Sequence, residues 1–252
     1  MLIQYCSDLH LEFLDNRKWV SSNPIIPKGN ILILAGDIVL FKEIHQHQKF
    51  FDYVSNHFEQ TFWIPGNHEY YNSDISQRSG AFEEQIRDNV TLLNNTVKII
   101  NGTRLVFSTL WSHISVAKQF IIEQSLSDFR VIRKNEKRLI VQDYNQLHLE
   151  SRSFLEETFQ TRTDAPTVVI THHPPTFFNY PEKYANSNIN EAFGTEMFSF
   201  IEKNEIDYWI YGHHHCNVTD FTIGKTKLVT NQLGYIKYNE NENFRNDSVF
   251  SV

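Results

Sequence analysis

Side chains that commonly bind metals follow five short apolar runs in this sequence, at the point where each run ends. Asp and Asn supply oxygen atoms and neutral His supplies nitrogen, a mixture that suits Mn, Fe or Zn better than Ca or Mg. Cysteine is absent from these segments, which argues against a structural zinc site. The sequence therefore predicts a divalent-metal centre. The five segments are Ser7-Asp8-Leu9-His10, Gly36-Asp37, Pro65-Gly66-Asn67-His68-Glu69, Thr171-His172-His173-Pro174-Pro175 and Gly212-His213-His214-His215.

The number of candidate ligands exceeds what one ion needs. One ion takes about four to six ligands, so seven side chains suit two ions completed by water. Asp8 and His10 are two residues apart, so both would point to the same side of an extended backbone. The two oxygens of Asp37 would let it bridge two ions. The candidate ligands are Asp8, His10, Asp37, Asn67, His172, His213 and His215.

Glycine is scarce, with 9 in 252 residues, under 4% against about 7% in typical proteins. Three of the nine, Gly36, Gly66 and Gly212, lie in the segments that carry candidate ligands. A strand that turns sharply into a crowded loop needs backbone without a Cβ atom. We therefore expect these three positions to lie against the ligands.

Short apolar runs and longer amphipathic segments must position these side chains. The runs are typical of buried strands, and ligands of open α/β sheets bind beyond the carboxyl ends of the strands. The order of elements predicts α/β structure at the front and a mixed sheet with hairpins at the back. No linker divides the chain, so a single domain over residues 1–252 is expected. Strands are predicted over 2–6, 31–35, 61–64, 104–107, 167–170, 207–211 and 226–229, and helices over 42–58, 80–89, 142–160 and 195–204.

The five segments, in order, resemble the signature of the calcineurin-like metallophosphoesterase superfamily. They show Asp-x-His, Gly-Asp, Gly-Asn-His-Glu, His-x-Pro and Gly-His-x-His between residues 8 and 215. One such motif alone is a weak signal, but five in order at strand ends are specific. The closing Asn231-Gln232-Leu233-Gly234-Tyr235 is similar to the segment that ends many small bacterial members. The resemblance implies an α/β fold, a four-layer α/β/β/α sandwich of two mixed β-sheets flanked by helices.

The resemblance also implies a function and a division of the ligands. It implies a dimetal phosphoesterase that hydrolyses phosphomonoester or phosphodiester bonds of a small substrate by metal-activated hydroxide. The catalytic residues would be Asp37, which bridges the metals, and His68, which faces the scissile phosphate and stabilises the transition state or protonates the leaving oxygen. The identity of the two divalent ions, Mn, Fe or Zn, is left open. The resemblance assigns Asp8, His10 and His215 to one metal and Asn67, His172 and His213 to the other.

Substrate contacts are harder to predict than metal ligands. Asn67 and His68 are the first candidates, because both belong to the Gly-Asn-His-Glu segment. Tyr71, Arg130 and Asn231 are weaker candidates. Aromatic residues near these segments are explained at least as well by loop packing in a chain with 20 Phe. Arg130 either reaches a phosphate or is solvated.

Histidines and cysteines outside the ligand set have simpler interpretations. His173 is the less suitable neighbour of His172, and the side chain of His214 is expected to point away from the metals. Cys6 and Cys216 are expected to be small packed residues. Surface or helix-cap positions are predicted for His45, His47 and His57, and structural roles are favoured for His113 and His148.

Composition limits the classes of partner that we expect for this protein. The 23 basic and 30 acidic residues give a net charge of −7, which makes nucleic acid an unlikely partner. The two cysteines fit a reducing compartment, and neither a signal peptide nor a run of 18 apolar residues occurs. We therefore expect a cytoplasmic location, no membrane partner and a small phosphate ester as substrate, with the oligomeric state left open.

Three other functions compete with the small-molecule phosphoesterase. Dedicated protein Ser/Thr phosphatases of this superfamily carry long extra elements that the chain lacks. A nuclease is disfavoured by the acidic charge. A non-catalytic metal-binding scaffold would usually have lost ligands, and none is missing here.

Overall fold

The computed structural model describes every residue from Met1 to Val252. Its fourteen strands form two six-stranded sheets and one small hairpin. The central strands are buried on both faces because their sequences are continuous apolar runs, such as Ile-Leu-Ile-Leu-Ala at residues 31–35. The strands are β1 (Leu2–Cys6), β2 (Ile31–Ala35), β3 (Gln60–Ile64), β4 (Phe82–Arg87), β5 (Val90–Asn94), β6 (Thr96–Ile100), β7 (Thr103–Ser108), β8 (Arg133–Lys134), β9 (Lys137–Arg138), β10 (Thr167–Thr171), β11 (Tyr208–Tyr211), β12 (Phe221–Ile223), β13 (Thr226–Thr230) and β14 (Val249–Ser251).

Six α-helices and several short 3-10 turns connect the strands. The longest helix is the fifth, and it carries buried residues along one face. The helices are α1 (Leu14–Ser22), α2 (Gln48–His57), α3 (Val116–Ser125), α4 (Asp128–Val131), α5 (Val141–Thr158) and α6 (Phe198–Lys203). The 3-10 turns span Phe41–Gln46, His68–Tyr70, Ile75–Gln77, Glu182–Tyr184, Asn190–Ala192, Ile236–Tyr238 and Glu240–Asn243.

Both large sheets are mixed. The first has the order β14-β1-β2-β3-β5-β4, in which β1, β2, β3 and β5 are parallel neighbours and the edge strands β14 and β4 pair antiparallel. The second has the order β12-β13-β11-β10-β7-β6, with a parallel centre and antiparallel edges. β14 joins the end of the chain to β1 at its beginning.

The two sheets face each other across an apolar core. Ile33 and Phe62 of the first sheet pack in one cluster with Phe107 and Ile170 of the second. Along β2, successive side chains alternate between this core and the helix-covered face, as the two-residue period of a strand requires. α5 and α6 pack on the outer face of the second sheet. The predicted four-layer α/β/β/α sandwich is confirmed.

All seven predicted strands are present, but one predicted helix is wrong. The helix expected over 80–89 is the edge strand β4, followed by a turn. Phe82 and Ile86 lie four residues apart, a spacing that places them on one face in either a helix or a strand, and pairing with β5 decides the outcome. The helix over 142–160 is confirmed as α5. The one over 42–58 begins as a 3-10 turn and becomes α2 only at Gln48, and α6 is shorter than the predicted 195–204.

None of the helices is both long enough and apolar enough to cross a membrane.

Candidate metal centre

Five parallel strands direct their carboxyl ends to one edge of the sandwich. β1, β2 and β3 lie side by side in the first sheet, and β10 and β11 lie side by side in the second. The residues that follow these strands are the ligand candidates of the sequence. The structure brings them together there in two groups that share Asp37.

The first group, which we call group A, consists of Asp8, His10, Asp37 and His215. One potential ligand atom from each lies within 4.8 Å of the others. The Nε2 atoms of His10 and His215 are 2.9 Å apart, and His215 Nε2 is 3.3 Å from Asp8 Oδ1. All four residues are buried, apart from a small exposed part of His215.

The second group, group B, consists of Asp37, His172 and His213, with Asn67 beside them. His172 Nε2 lies 3.1 Å from His213 Nδ1 and 3.4 Å from Asp37 Oδ2. The Oδ1 atom of Asn67 is buried and has no hydrogen-bond partner. Because a buried polar atom without a partner is costly, this oxygen is suited to a ligand that the protein alone does not supply.

The spacing of the ring nitrogens fits metal coordination. With metal–nitrogen bonds of about 2.1 Å, two ligands at right angles are separated by about 3.0 Å. The pairs in groups A and B are 2.9 and 3.1 Å apart. The nitrogen and oxygen donors are the set preferred by Mn, Fe and Zn. The two groups could therefore each hold a divalent cation, with Asp37 between them.

Left-handed backbone brings several of these side chains inward. Thirteen residues other than glycine have positive φ, and six of them are Asn, which tolerates this conformation. Five of the other seven belong to the candidate ligands. The extended backbone expected at Asp8 and His10 is thus wrong, although the two side chains do converge. Such residues cluster at functional sites, where the surrounding structure holds the strain. The five are Asp8, His10, Asp37, His213 and His215.

The three glycines of the ligand segments lie against the ligands, as expected. A Cβ atom added at Gly36 or Gly66 would overlap the His172 ring. At Gly212 it would lie 2.7 Å from Asp8 Oδ2. A side chain at any of the three would therefore displace a candidate ligand.

His68 lies beside group A, with its ring centroid 4.4 Å from that of His10. Its Nδ1 atom is 2.9 Å from Glu12 Oε1, and its Nε2 atom is 3.2 Å from the Tyr235 hydroxyl. The ring stacks on Tyr71 with centroids 4.0 Å apart. Its backbone N–H donates to Asp37 Oδ1 over 2.9 Å. His68 is thus fixed next to the shared carboxylate without joining it as a ligand.

His68 and His10, which lie on the same side of the site, have pKa values shifted in opposite directions. Burial lowers the pKa of His68, but the carboxylates of Asp37 and Glu12 outweigh burial and raise its pKa above the usual range. Burial dominates at His10 and lowers its pKa. His68 therefore favours the cation, which can donate a proton, and His10 favours the neutral ring, which can donate a lone pair.

Ligand candidates hold protons in the metal-free protein. Burial lowers the pKa of His172, but Asp37 outweighs it and raises the pKa to about 9. Burial likewise opposes protonation of His215, and hydrogen bonding to Asp8 raises its pKa to about 10. A cation that binds these rings must displace those protons, so its affinity would rise with pH.

Three carboxylates that hold the candidate ligands escaped the sequence predictions. Glu12 Oε1 lies 3.0 Å from His10 Nδ1 as well as contacting His68. Asp128 Oδ1 accepts a hydrogen bond from Asn67 Nδ2 over 3.0 Å, which directs Asn67 Oδ1 toward group B. Glu240 Oε2 accepts from His215 Nδ1 over 2.7 Å. Glu12 was detectable as an acidic residue two positions after His10, whereas Asp128 and Glu240 come from segments without a local pattern.

Glu69 builds the loops rather than the reaction centre. Its carboxylate accepts hydrogen bonds from the backbone N–H groups of Asp37, Ile38 and Gly66 and from the Trp63 indole, over 2.7–3.1 Å. It therefore ties together the loops after β2 and β3.

A cavity of about 280 Å³ opens over groups A and B. Asp37, Asn67 and His68 form part of its wall, together with Tyr71 and Tyr235. The lining contains no Lys or Arg. A larger cavity of about 710 Å³ lies around Arg104 and Asp164 and includes none of the candidate residues. The smaller cavity is the one that reaches the candidate ligands.

The weaker substrate candidates are placed differently from one another. Tyr71 lines the cavity, and its hydroxyl donates to Asp128 over 2.7 Å. Arg130 is exposed, and its guanidinium donates to backbone carbonyls at the end of α3, outside the cavity lining. The side-chain amide of Asn231 is satisfied by the backbone of Tyr5 and Arg245. The structure therefore does not bring Arg130 or Asn231 to the candidate centre.

The remaining histidines mostly serve packing. His173 lies 3.2 Å from the Tyr144 hydroxyl, and burial followed by the nearby His172 lowers its pKa to about 3. His214 turns away from groups A and B and accepts a hydrogen bond from the backbone of Cys216. His47 is buried rather than on the surface, and it is the N-cap residue of α2, so the helix-cap alternative holds at this position.

Known proteins share both the sequence pattern and the fold. Residues 1–217 match the family model described as calcineurin-like phosphoesterase. The chain is 33% identical over 273 aligned positions to the uncharacterized protein L509 of Acanthamoeba polyphaga mimivirus, with 96% of this chain and 94% of that protein covered. The crystal structure of the phosphopantetheinyl hydrolase PptH from Mycobacterium tuberculosis is similar, with a TM-score of 0.68 and 17% identity over 93% of this chain and 90% of that chain. At that identity the likeness shows a common fold.

Proposed function

Because this chain belongs to the calcineurin-like phosphoesterase family, and is thus a metal-dependent hydrolase of phosphoric esters, we propose that it acts on a small phosphomonoester or phosphodiester with two divalent cations. The observation that carries this proposal is the position of Asp37. Its Oδ2 atom lies 3.8 Å from His10 Nε2 in group A and 3.4 Å from His172 Nε2 in group B. One carboxylate thus serves two sets of converging donors.

The proposed ligand sets follow the two groups. When bound, two such cations supply an activated water and neutralise the phosphoryl oxygens. Mn, Fe and Zn all suit the donors. One ion is assigned to Asp8, His10 and His215, the other to Asn67, His172 and His213, and Asp37 is shared.

His68 is the proposed proton donor. Its hydrogen bond to Glu12 through Nδ1 leaves Nε2 to carry the mobile proton, and the Glu12 carboxylate favours the cationic ring. Nε2 lies in the wall of the cavity, near the hydroxyl of Tyr235. From there His68 can stabilise the transferring phosphoryl group or protonate the leaving oxygen, a role typically worth about 10²–10⁴-fold in rate.

The cavity supports a small substrate. A volume of about 280 Å³ admits a phosphoryl group with a compact leaving group. Asp128 and Glu240 contribute carboxyl groups to the wall and no Lys or Arg lies there, so the cations are proposed to provide the main attraction for phosphate. Asn67 and His68 are proposed to contact the phosphoryl group, and Tyr71 to contact the leaving group. Residues 1–252 are proposed to form one domain, since β14 near the end of the chain pairs with β1 at its beginning.

A metal-supplemented substrate screen tests this function. The protein is stripped with a chelator, reloaded separately with Mn²⁺, Fe²⁺ and Zn²⁺, and assayed on small monoesters, small diesters and a phosphoserine peptide. The panel includes p-nitrophenyl phosphate, its bis-ester and a phosphopantetheinyl ester. Metal-dependent hydrolysis of a small ester is expected. Activity confined to the peptide would indicate a protein phosphatase, and metal binding without hydrolysis of any ester would indicate a scaffold.

A further inference from the structure

Glu12 contacts two histidines of the site through a single oxygen atom. Its Oε1 lies 3.0 Å from His10 Nδ1 and 2.9 Å from His68 Nδ1. The two rings are close, with centroids 4.4 Å apart and planes at 73°. The Glu12 side chain is only 8% exposed, and its Oε2 atom is buried without a hydrogen-bond partner.

The contacts of Glu12 differ from those of a carboxylate that stabilises loops. Glu69 accepts three backbone N–H groups and an indole, all of which belong to the fold around the site. Every hydrogen bond of Glu12 goes to an imidazole of the site. Since burying a carboxylate with one unpaired oxygen is costly, a residue kept only for stability would not be expected here.

Both bonds fix which ring nitrogen is free. A carboxylate can only accept, so His10 and His68 must each donate the Nδ1 proton to Glu12. His10 Nε2 then carries a lone pair directed at group A. His68 Nε2 is left to hold a proton on the wall of the cavity. One oxygen thereby sets the tautomer of a proposed ligand and of the proposed acid.

We propose that Glu12 is a positioning residue that couples metal binding at His10 to proton donation by His68. The coupling follows from the shared oxygen, because a movement of either ring changes the bond that holds the other. The inference rests on the proposed function for the role of His68. The two hydrogen bonds of Glu12 can be tested without any measurement of activity.

Glu240 provides a matched control. Like Glu12, it accepts a hydrogen bond from Nδ1 of a group A histidine, here His215, over 2.7 Å. Unlike Glu12, Glu240 makes no hydrogen bond with His68. Glu240 also accepts a hydrogen bond from the backbone N–H of Tyr235 over 2.7 Å. Glu12→Gln and Glu240→Gln therefore both disturb a ligand of group A, but only the first removes a carboxylate that contacts the proposed acid directly.

The first readout is spectroscopic and needs no turnover. Histidine-selective ¹⁵N labelling of the Zn²⁺-loaded protein should show downfield Nδ1 protons bonded to carboxylates for His10, His68 and His215. Glu12→Gln should shift the His10 and His68 resonances upfield and leave that of His215. Glu240→Gln should do the reverse. Unchanged His10 and His68 resonances in Glu12→Gln would overturn the proposal, and Glu12→Asp serves as a second variant if Glu12→Gln does not fold.

The second readout compares leaving groups in the Mn²⁺-loaded enzyme. Phenyl phosphate needs protonation of its leaving oxygen far more than p-nitrophenyl phosphate does. Glu12→Gln should lower kcat on phenyl phosphate by about 10–100-fold and lower kcat on p-nitrophenyl phosphate several-fold less. Glu240→Gln should lower both rates by the same factor. An equal loss of kcat on the two esters in Glu12→Gln would contradict the coupling. If the wild-type protein is inactive on both esters but the variants show the expected NMR shifts, only the proposed function is contradicted.

Discussion

The Oδ1 atom of Asp37 accepts a hydrogen bond from the backbone N–H of His68 over 2.9 Å. Its Oδ2 atom meanwhile faces both ligand groups, near His10 and His172. The carboxylate that would join two cations therefore also fixes the loop of the proposed acid. The proposed metal binding and the proposed proton donation would thus both depend on the Asp37 side chain.

Replacing Asp37 should empty both proposed metal positions. Asp37→Asn keeps the size of the side chain but removes the charge that two cations share, and the neutral amide cannot offset the burial of four charges. Elemental analysis after dialysis should find neither ion retained. Asp247→Asn, a change at a partly exposed carboxylate paired with Arg245, is the control and should retain both. An Asp37→Asn protein that still holds two ions would refute the bridge.

Replacing His68 should separate metal binding from turnover. His68→Ala removes the proposed proton donor, but no ligand of either proposed ion. Both ions should stay bound, while kcat on a small ester with a poor leaving group falls by about 10²–10⁴-fold. Elemental analysis and steady-state kinetics on the same sample check this. Full turnover in the variant would show that His68 is not the acid.

Asp128 should control the affinity of the ion in group B. Asp128→Ala removes the acceptor that orients the Asn67 amide, so Asn67 Oδ1 is no longer held toward the cation. We expect about 10–100-fold weaker binding of one of two ions, measured by competition with a chelator. Tyr71→Phe removes the hydrogen bond from Tyr71 to Asp128 and a longer one of 3.4 Å from Asn67 to Tyr71, but it leaves the bond between Asn67 and Asp128. It should therefore bind the ion of group B more tightly than Asp128→Ala does. If Asp128→Ala binds both ions as tightly as the wild type, Asp128 does not control the affinity of the ion in group B.

Acid should destabilise the metal-free protein partly through His173. Its pKa of about 3 in the fold lies below the value of about 6.5 in the unfolded chain, so the unfolded state takes up the proton first as the pH falls. The stability associated with neutral His173 is therefore complete above about pH 6.5 and is lost as the pH falls toward 3. Between pH 7 and 5 the loss amounts to about 2 kcal/mol.

The matching experiment uses urea unfolding of the wild type and of His173→Asn at pH 7 and pH 5, with a chelator present. The variant is less stable at pH 7, because it loses packing against Trp111 and Tyr144. Between pH 7 and pH 5, the free energy of unfolding of the variant should fall by about 2 kcal/mol less than that of the wild type. Equal losses in the two proteins would mean that His173 does not stay neutral in the fold.

The candidate ligands were predictable because each lies directly after an apolar run. A strand needs about five residues of the right type, and its carboxyl end is then known to within a residue or two. Gly36, Gly66 and Gly212 were informative for the same reason, since a crowded turn restricts the residue type at that position. The sandwich fold was available only through the resemblance of the ordered motifs to a known family.

Other features depend on contacts between distant segments. Asp128 reaches Asn67 from 61 residues away, and no local pattern marks it. β4 could not be distinguished from a helix by its own spacing, because its pairing with β5 decides its conformation. Asn231 was expected near the substrate, but its amide is used by backbone groups that only the folded chain brings to it.

The metal content of the wild-type protein decides whether groups A and B bind two cations. The protein is stripped with a chelator, reloaded with Mn²⁺, freed of excess metal and analysed for metal per chain. Two ions per chain are expected, because Asp37 stands between two sets of converging donors. One ion per chain, or none after reloading, would contradict the account.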